Sequence, residues 1–322
     1  MENAGIPGTF QRAARELSNG YAAVAGRTVN FTHQPLGRHI DPEGLGGYYC
    51  DLRHKGRYAL GVMDTVGRDE REWWIITVAQ AALGFWDLRI EGHDVDGPFL
   101  RLADWLLERA RPFPGGGVVW TVPRPQAKYG LAPDWASAMG QGQAASALLR
   151  AHALTGNEAY LEAARGALPP LATPVAAGGL QNELDGATVL EEYPTARPSA
   201  VLNGWIFALF GVHELATAAR VPEARDLFER SSRGLLELLP RYDVGWWTLY
   251  SLHDHGRHDL AKPFYQRLHP VLLDALALIR PDPLLADYAD RWRSQLTRPA
   301  LVRASLDKLA FRLYRAATER RS

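Results

Sequence analysis

From Trp73 onward two kinds of apolar pattern alternate along the chain. W-W-I-I-T-V-A-Q-A-A-L-G-F-W-D-L is apolar on nearly every side, whereas the next run, F-L-R-L-A-D-W-L-L-E-R-A, carries charges at every third or fourth position. A helix apolar all round is buried, and one with a single apolar stripe faces solvent. The same alternation recurs in S-A-M-G-Q-G-Q-A-A-S-A-L-L-R-A-H-A-L with N-E-A-Y-L-E-A-A-R-G-A-L. It recurs again from Ser199 with the run from Pro222, and from Phe264 with the run from Pro283, before a last helix over 300–320. Four pairs at a period of roughly 60 residues predict a helical-pair array, inner helices wrapped by outer ones. The fold class read from this is mainly α: a partial α/α toroid of about four helix pairs.

The links within pairs are short, and those between pairs are long and β-like. V-V-W-T-V-P alternates as a strand does. L-Q-N-E-L-D-G-A-T-V-L contains Asp185-Gly186, a two-residue hairpin signal, and V-G-W-W-T-L-Y-S-L is again strand-like. These β-hairpin connections leave the same end of successive inner helices, which predicts a cleft there. Before the array, residues 8–26 read as a helix. Residues 28–70 are broken by glycines into pieces such as Y-Y-C-D-L-R-H and R-Y-A-L-G-V-M, predicting a small N-terminal β element of two or three short strands. The domain division expected is 1–70 and 71–322.

Composition narrows the function classes. The 322 residues are 47% hydrophobic and 22% charged with zero formal net charge, which gives no global pull towards nucleic acid or an anionic membrane. Cys50 is the only cysteine, so neither an intrachain disulfide nor a cysteine metal cluster is available. No apolar run reaches the roughly 20 residues of a membrane span, and no signal peptide is visible, so the expected location is cytoplasmic. No P-loop, H-E-x-x-H or G-x-S-x-G occurs. His253, His255, His258 and His269 match no standard metal-ligand spacing. Neither a metal nor another cofactor is called for.

The polar residues at the predicted cleft end are more telling. In E-E-Y-P-T-A-R-P-S-A-V-L-N-G-W, Glu192 and Tyr193 precede a turn whose Pro198 and Ser199 are helix-start signals. Asn203 stands on the first turns of that helix, Gln141 and Gln143 on those of another. Tyr250 lies in a connection, and Tyr265 and His269, four apart, share a helical face. Arg197 and Arg267 are available to hold an anion. A carboxylate among tyrosines is acid–base equipment, although each residue alone would serve equally well as a satisfied core group.

Three segments in order, S-A-M-G-Q-G-Q-A-A-S-A-L-L-R-A-H, E-E-Y-P-T-A-R-P-S-A-V-L-N-G-W-I-F-A-L and L-L-P-R-Y-D-V-G-W-W-T-L-Y, resemble the C-terminal catalytic domain of the D-glucuronyl C5-epimerases over roughly residues 70–297. The resemblance implies an α/α toroid and inversion of C5 of a D-glucuronate residue to L-iduronate in a glycan or glycoconjugate. It places the family's catalytic glutamate and tyrosines on Glu192, Tyr193, Tyr250 and Tyr265. Gln141, Gln143, Arg197, Asn203, Arg267 and His269 become candidates for substrate binding. After Tyr250 the chain reads S-L-H-D-H-G-R-H where the animal enzymes have an Asp-Leu-Arg-His run, and around Tyr265 it reads K-P-F-Y-Q-R-L-H instead of a W-D-Y-H-T-T-H-like run. Those departures bear on the neighbouring sugars, so a small or lipid-borne glucuronide stays open as the substrate. A uronate lyase and a non-catalytic glycan-binding module stay open as functions, and a homodimer is allowed. For the epimerase, removing the C5 proton creates a doubly charged enediolate. That requires a base, a proton donor on the opposite face and a group that neutralises the carboxylate. Burial would raise a glutamate towards neutrality, and nearby positive charge would lower a tyrosine.

Overall fold

In a computed structural model of the chain, residues 34–63 and 74–318 are described. The helix expected over 8–26 and the boundary expected after residue 70 lie outside them. The described residues are mainly helical. Helix α1 (Arg53–Met63) is followed by four pairs: α2 (Ile75–Ile90) with α3 (Asp96–Glu108), α4 (Ala138–Thr155) with α5 (Glu158–Arg165), α7 (Leu202–Thr217) with α8 (Pro222–Leu238), and α9 (Pro263–Ile279) with α10 (Pro283–Ser294). A short α6 (Leu168–Ala172) extends the second pair, and α11 (Arg298–Thr318) closes the chain.

The alternation in the sequence is the alternation in space. Every residue of α4 from Ala138 to Ala151, and of α7 from Leu202 to Ala216, is buried; α8 buries one stripe. The first helices of the pairs form a row in which α2 packs on α4, α4 on α7 and α7 on α9, each with its own outer partner. Local chemistry sets the helix ends. Ser137 and Asn157 accept backbone N–H groups at the starts of α4 and α5, and Gly156 closes α4 in the left-handed conformation. Between α4 and α7 the backbones touch: a methyl group placed on Gly211 would lie 2.3 Å from the Gly142 carbonyl oxygen. No side chain separates the two helices there.

Three small antiparallel pairings occupy the long connections. Strand β1 (Arg111–Pro112) pairs with β2 (Val118–Val119), and β3 (Thr121–Val122) with β4 (Trp135–Ala136). Strand β5 (Gln181–Leu184) pairs with β6 (Ala187–Leu190) through Asp185-Gly186, whose φ angles of 52° and 86° are those of the predicted two-residue turn. The third connection forms only isolated bridges, Asp243 with Thr248, Leu249 with Leu260 and Val201 with Ser251, instead of the strand its pattern predicts.

The N-terminal β element needs correction. Tyr48–Cys50 is extended and bridged to Leu36, but R-Y-A-L-G-V-M, predicted as a strand, is most of α1. One of the glycines that read as strand breaks is a helix contact: Gly56 of α1 meets Gly84 of α2, where an added methyl would come 2.9 Å from the Gly84 carbonyl carbon. The 34–52 segment is moored to the array by Arg150, which is fully buried. Arg150 makes a two-pronged ion pair with Glu214 at 2.8 and 2.9 Å and donates to the Gly46 carbonyl.

Candidate active site

Strand β6 delivers two adjacent carboxylates to the starts of α4 and α7, and their environments differ. Glu191 is enclosed and fully used. It accepts from the Ser199 backbone N–H at 2.9 Å, from Asn182 at 3.1 Å, from the Ala200 N–H at 3.0 Å and from the Ser199 hydroxyl. Its own carbonyl takes the Ala138 N–H that opens α4. Glu191 is therefore the joint that fixes two helix starts to one hairpin. Ser199, predicted to cap α7, spends its hydroxyl on Glu191 instead; α7 begins three residues later, with no side-chain cap at Val201.

Glu192 is also buried, at 5% exposure, but sparsely bonded. Asn203 Nδ2 donates to its Oε2 at 3.3 Å and the Tyr250 hydroxyl to its Oε1 at 3.5 Å. Burial pushes its pKa up from 4.5 to about 7, against the opposing pull of Tyr193, Lys128, Tyr250 and Asn203. The carboxyl lies directly on the first turn of α7, in space left by Gly204, where a methyl group would sit 2.3 Å from Oε2. The N-G sequence after the helix start thus supplies a donor and a vacancy for the same carboxyl.

Tyrosines surround it. The Tyr193 and Tyr250 hydroxyls are 3.5 Å apart, and the Tyr250 and Tyr265 rings lie 4.8 Å apart. Tyr193 stacks on Tyr129 at 4.3 Å and leans on Trp135 at 5.3 Å. Burial, with Glu192's charge as the second cause, holds the Tyr193, Tyr250 and Tyr265 hydroxyls above their ordinary range. This reverses the lowering expected from nearby positive charge. The cation at the cluster, Lys128, lies over the rings of Tyr129 and Tyr250.

The predicted binding residues divide. Asn203 joins the cluster, and its Oδ1 is buried without a protein partner among the described residues. His269 lies beneath Tyr265, with ring centroids 6.2 Å apart. Both the Thr248 N–H and its hydroxyl point to Gln266 Oε1, at 2.9 and 2.8 Å. The hydroxyl proton is spent there, so His269 Nδ1–H donates to Thr248 Oγ1 at 3.1 Å and Nε2 carries a lone pair. Burial lowers this imidazole to about 3, so it is neutral. Gln141 is elsewhere engaged: its Oε1 accepts the Trp120 N–H at 2.9 Å and its amide donates to the Val118 carbonyl at 3.0 Å, stitching the β2–β3 segment to α4. Gln143 is fully buried beside Tyr48. Arg197 is exposed in the turn before α7, and Arg267, two residues from Tyr265 on α9, points about 200° around that helix from it. The structure does not bring these four to Glu192.

Lys128 was not foreseen. Its ammonium lies 4.7 Å from the Tyr250 ring centroid and 4.9 Å from that of Tyr129, held by the buried carboxylate of Asp259, which also takes Lys308 at 2.6 Å. Burial lowers Lys128 to about 8, with Asp259 opposing, and the two lysines hold Asp259 well below the usual carboxylate range. Among the described residues no group of three or more His, Cys, Asp or Glu is placed to hold a metal, and no helix is long and apolar enough to cross a membrane.

The family described as D-glucuronyl C5-epimerase C-terminus matches residues 117–294, more than half of the chain and the span that carries Glu192 and all four tyrosines. The chain belongs to this family. It is 35% identical over 217 residues to the D-glucuronyl C5-epimerase of Caenorhabditis elegans, covering 60% of this chain and 34% of that protein. It is 27% identical over 180 residues to an uncharacterised protein of Methanocaldococcus jannaschii, covering 55% of this chain and 57% of the relative. The chain thus spans between about a third and somewhat over half of the length of these relatives. Within the C5-epimerase span lie the carboxyl, its tyrosines and Lys128; α11, which supplies Lys308, lies beyond it.

Proposed function

We propose that this chain is a uronate C5-epimerase that inverts a D-glucuronate residue to L-iduronate in a glycan or glycoconjugate. The observation that carries the reading is Glu192: a buried carboxyl whose pKa burial raises to about 7, ringed by protonated tyrosines. A base for a weakly acidic C–H works best when its pKa lies near the operating pH. Ionised Glu192 removes the C5 proton, and the electron pair moves into the uronate carboxylate as an enediolate. Lys128 places a positive charge against the dianion, and the unpartnered Oδ1 of Asn203 is available to a sugar hydroxyl. A tyrosine hydroxyl returns a proton to C5 from the other face. Tyr265 is assigned this part, with Tyr250 between it and Glu192, hydrogen-bonded to the glutamate and packed on Tyr265. Re-equilibration of two protons with solvent completes the cycle, with no net redox change.

The test is incubation with glucuronate-bearing saccharides in deuterium oxide, followed by NMR. Deuterium entering C5 together with L-iduronate signals supports the reading. An unsaturated, ultraviolet-absorbing product would make the enzyme a lyase, and binding without exchange would make the chain a glycan-binding module.

A further inference from the structure

Helix α11 turns one face to the array and another to solvent, and both carry apolar residues. Leu301, Ala304 and Phe311 are buried against the fold. Lys308, on the same side, donates to Asp259 and to the Leu260 carbonyl, both at 2.6 Å, and Arg315 donates to the Ala127 carbonyl at 3.4 Å. Those contacts account for the attachment of the helix. They do not account for Val302, Leu306 and Leu313, which are 55%, 57% and 39% exposed.

At about 100° per residue, Val302, Leu306, Leu309 and Leu313 fall within an arc of about 60° and run along roughly 17 Å of the helix. Scattered exposed leucines are ordinary, but a continuous row is not. Of the seven large apolar side chains exposed among the described residues, four belong to α11. The row has cationic borders: Arg298 and Arg312 lie along one edge and Arg303 along the other, all within about 60° of it. Arg298 and Arg303 are exposed, and Arg303 is held with its guanidinium 3.8 Å over the Trp246 ring. The helix carries five basic residues against one acid, Asp307, in a chain whose formal net charge is zero.

We propose that this face of α11 seats the protein on an anionic lipid surface. Aliphatic side chains enter the acyl boundary while bordering arginines reach the lipid phosphates, as in helices that lie in a membrane interface. Protein interfaces are anchored by aromatic residues set into pockets. This row is straight and aliphatic, and the exposed aromatic of α11, Tyr314, is turned aside onto Gly256. A second copy packed on the row would set arginine borders against arginine borders, whereas anionic headgroups offset them. The inference is independent of the epimerase reading and concerns a helix beyond the family-matched span.

Flotation of the full chain with vesicles of phosphatidylcholine, alone or mixed with phosphatidylglycerol, tests it. The wild type floats with the mixed vesicles, stays behind with the neutral ones, and is released from the former as salt is raised. Arg298→Gln/Arg303→Gln weakens the affinity about fivefold for each charge removed, and Leu306→Ser/Leu313→Ser about tenfold for each leucine. These four side chains are exposed, so circular dichroism and the unfolding midpoint stay those of the wild type. Leu278→Ser removes an exposed leucine from α9 and leaves vesicle binding unchanged. Binding to neither vesicle, equal binding to both, or an equal loss from Leu278→Ser overturns the proposal. So does a dimer in sedimentation equilibrium that Leu306→Ser/Leu313→Ser dissolves, which would give the row to a second copy.

Discussion

Replacing Glu192 by glutamine should remove the base and stabilise the fold, and the size of the gain follows from the site. In the unfolded chain this carboxyl titrates near 4.5, and in the folded site at about 7. Between those values the unfolded chain has released a proton that the folded protein still holds, so stability falls as pH rises. The separation is 7 − 4.5 = 2.5 pH units, worth about 3 kcal/mol at about 1.36 kcal/mol each. Glutamine does not titrate and escapes this loss. Below pH 4.5 the comparison contains only the exchange of a carboxylic acid for an amide facing Asn203 and Tyr250, a change on the order of 1 kcal/mol. Glu191 and Asp87, also raised by burial, are present in both proteins and cancel in the difference. Urea unfolding of wild type and Glu192→Gln at intervals from pH 5 to pH 8 measures it. The variant should gain on the wild type by about 2 to 3 kcal/mol across that window and level off above it. A difference that stays flat would mean that Glu192 is not a buried near-neutral acid, and its assignment as base would lose its electrostatic ground.

Tyr265→Phe removes one hydroxyl from a packed ring, so folding should survive while turnover falls by about 10²–10⁴; C5 exchange begun separately from glucuronate and iduronate measures which direction fails, and undiminished epimerisation would transfer the role to Tyr250 or Tyr193. Lys128→Met withdraws the charge that lowers Glu192, so the pH at which activity appears should move upward from about 7, while Lys128→Arg should leave it in place; a pH–rate profile distinguishes them. Gly204→Ala puts a methyl group where Glu192 Oε2 now lies, 2.3 Å away, and should abolish exchange with far-ultraviolet circular dichroism unchanged; an active variant would mean that the carboxyl works from another position.

Much of the scaffold was legible because burial writes its period into sequence. The all-apolar runs of α4 and α7 and the striped run of α8 could be sorted without coordinates, and Asp185-Gly186 specified its turn. Local rules failed where tertiary contact overrode them. Gly56 of α1 read as a strand break, but it serves the close approach of Gly84. Ser199 has the makings of a cap, yet Glu191, eight residues earlier, claims its hydroxyl. In the site, Glu192, Tyr193 and Asn203 lie within twelve residues of one another and could be grouped by eye. Lys128, Asp259 and Lys308 could not, because their association spans 131 and 49 positions and no spacing rule connects them. Gln141 looked like a site residue because a buried amide on an inner helix carries the same sequence signal whether it meets a ligand or the β2–β3 backbone.

The bare contact between Gly142 and Gly211 divides the molecule into a part that can drift and a part that cannot. A seam with no side chains offers natural variation nothing to trim or enlarge, so α4 and α7, whose starts Glu191 ties together, inherit a fixed separation. The exposed tips of the hairpin at Asp185-Gly186 and of the loop at Arg257-His258 carry no such constraint. Selection for a different substrate can therefore rewrite those tips repeatedly while the floor against which Glu192 and Asn203 rest is handed down unchanged.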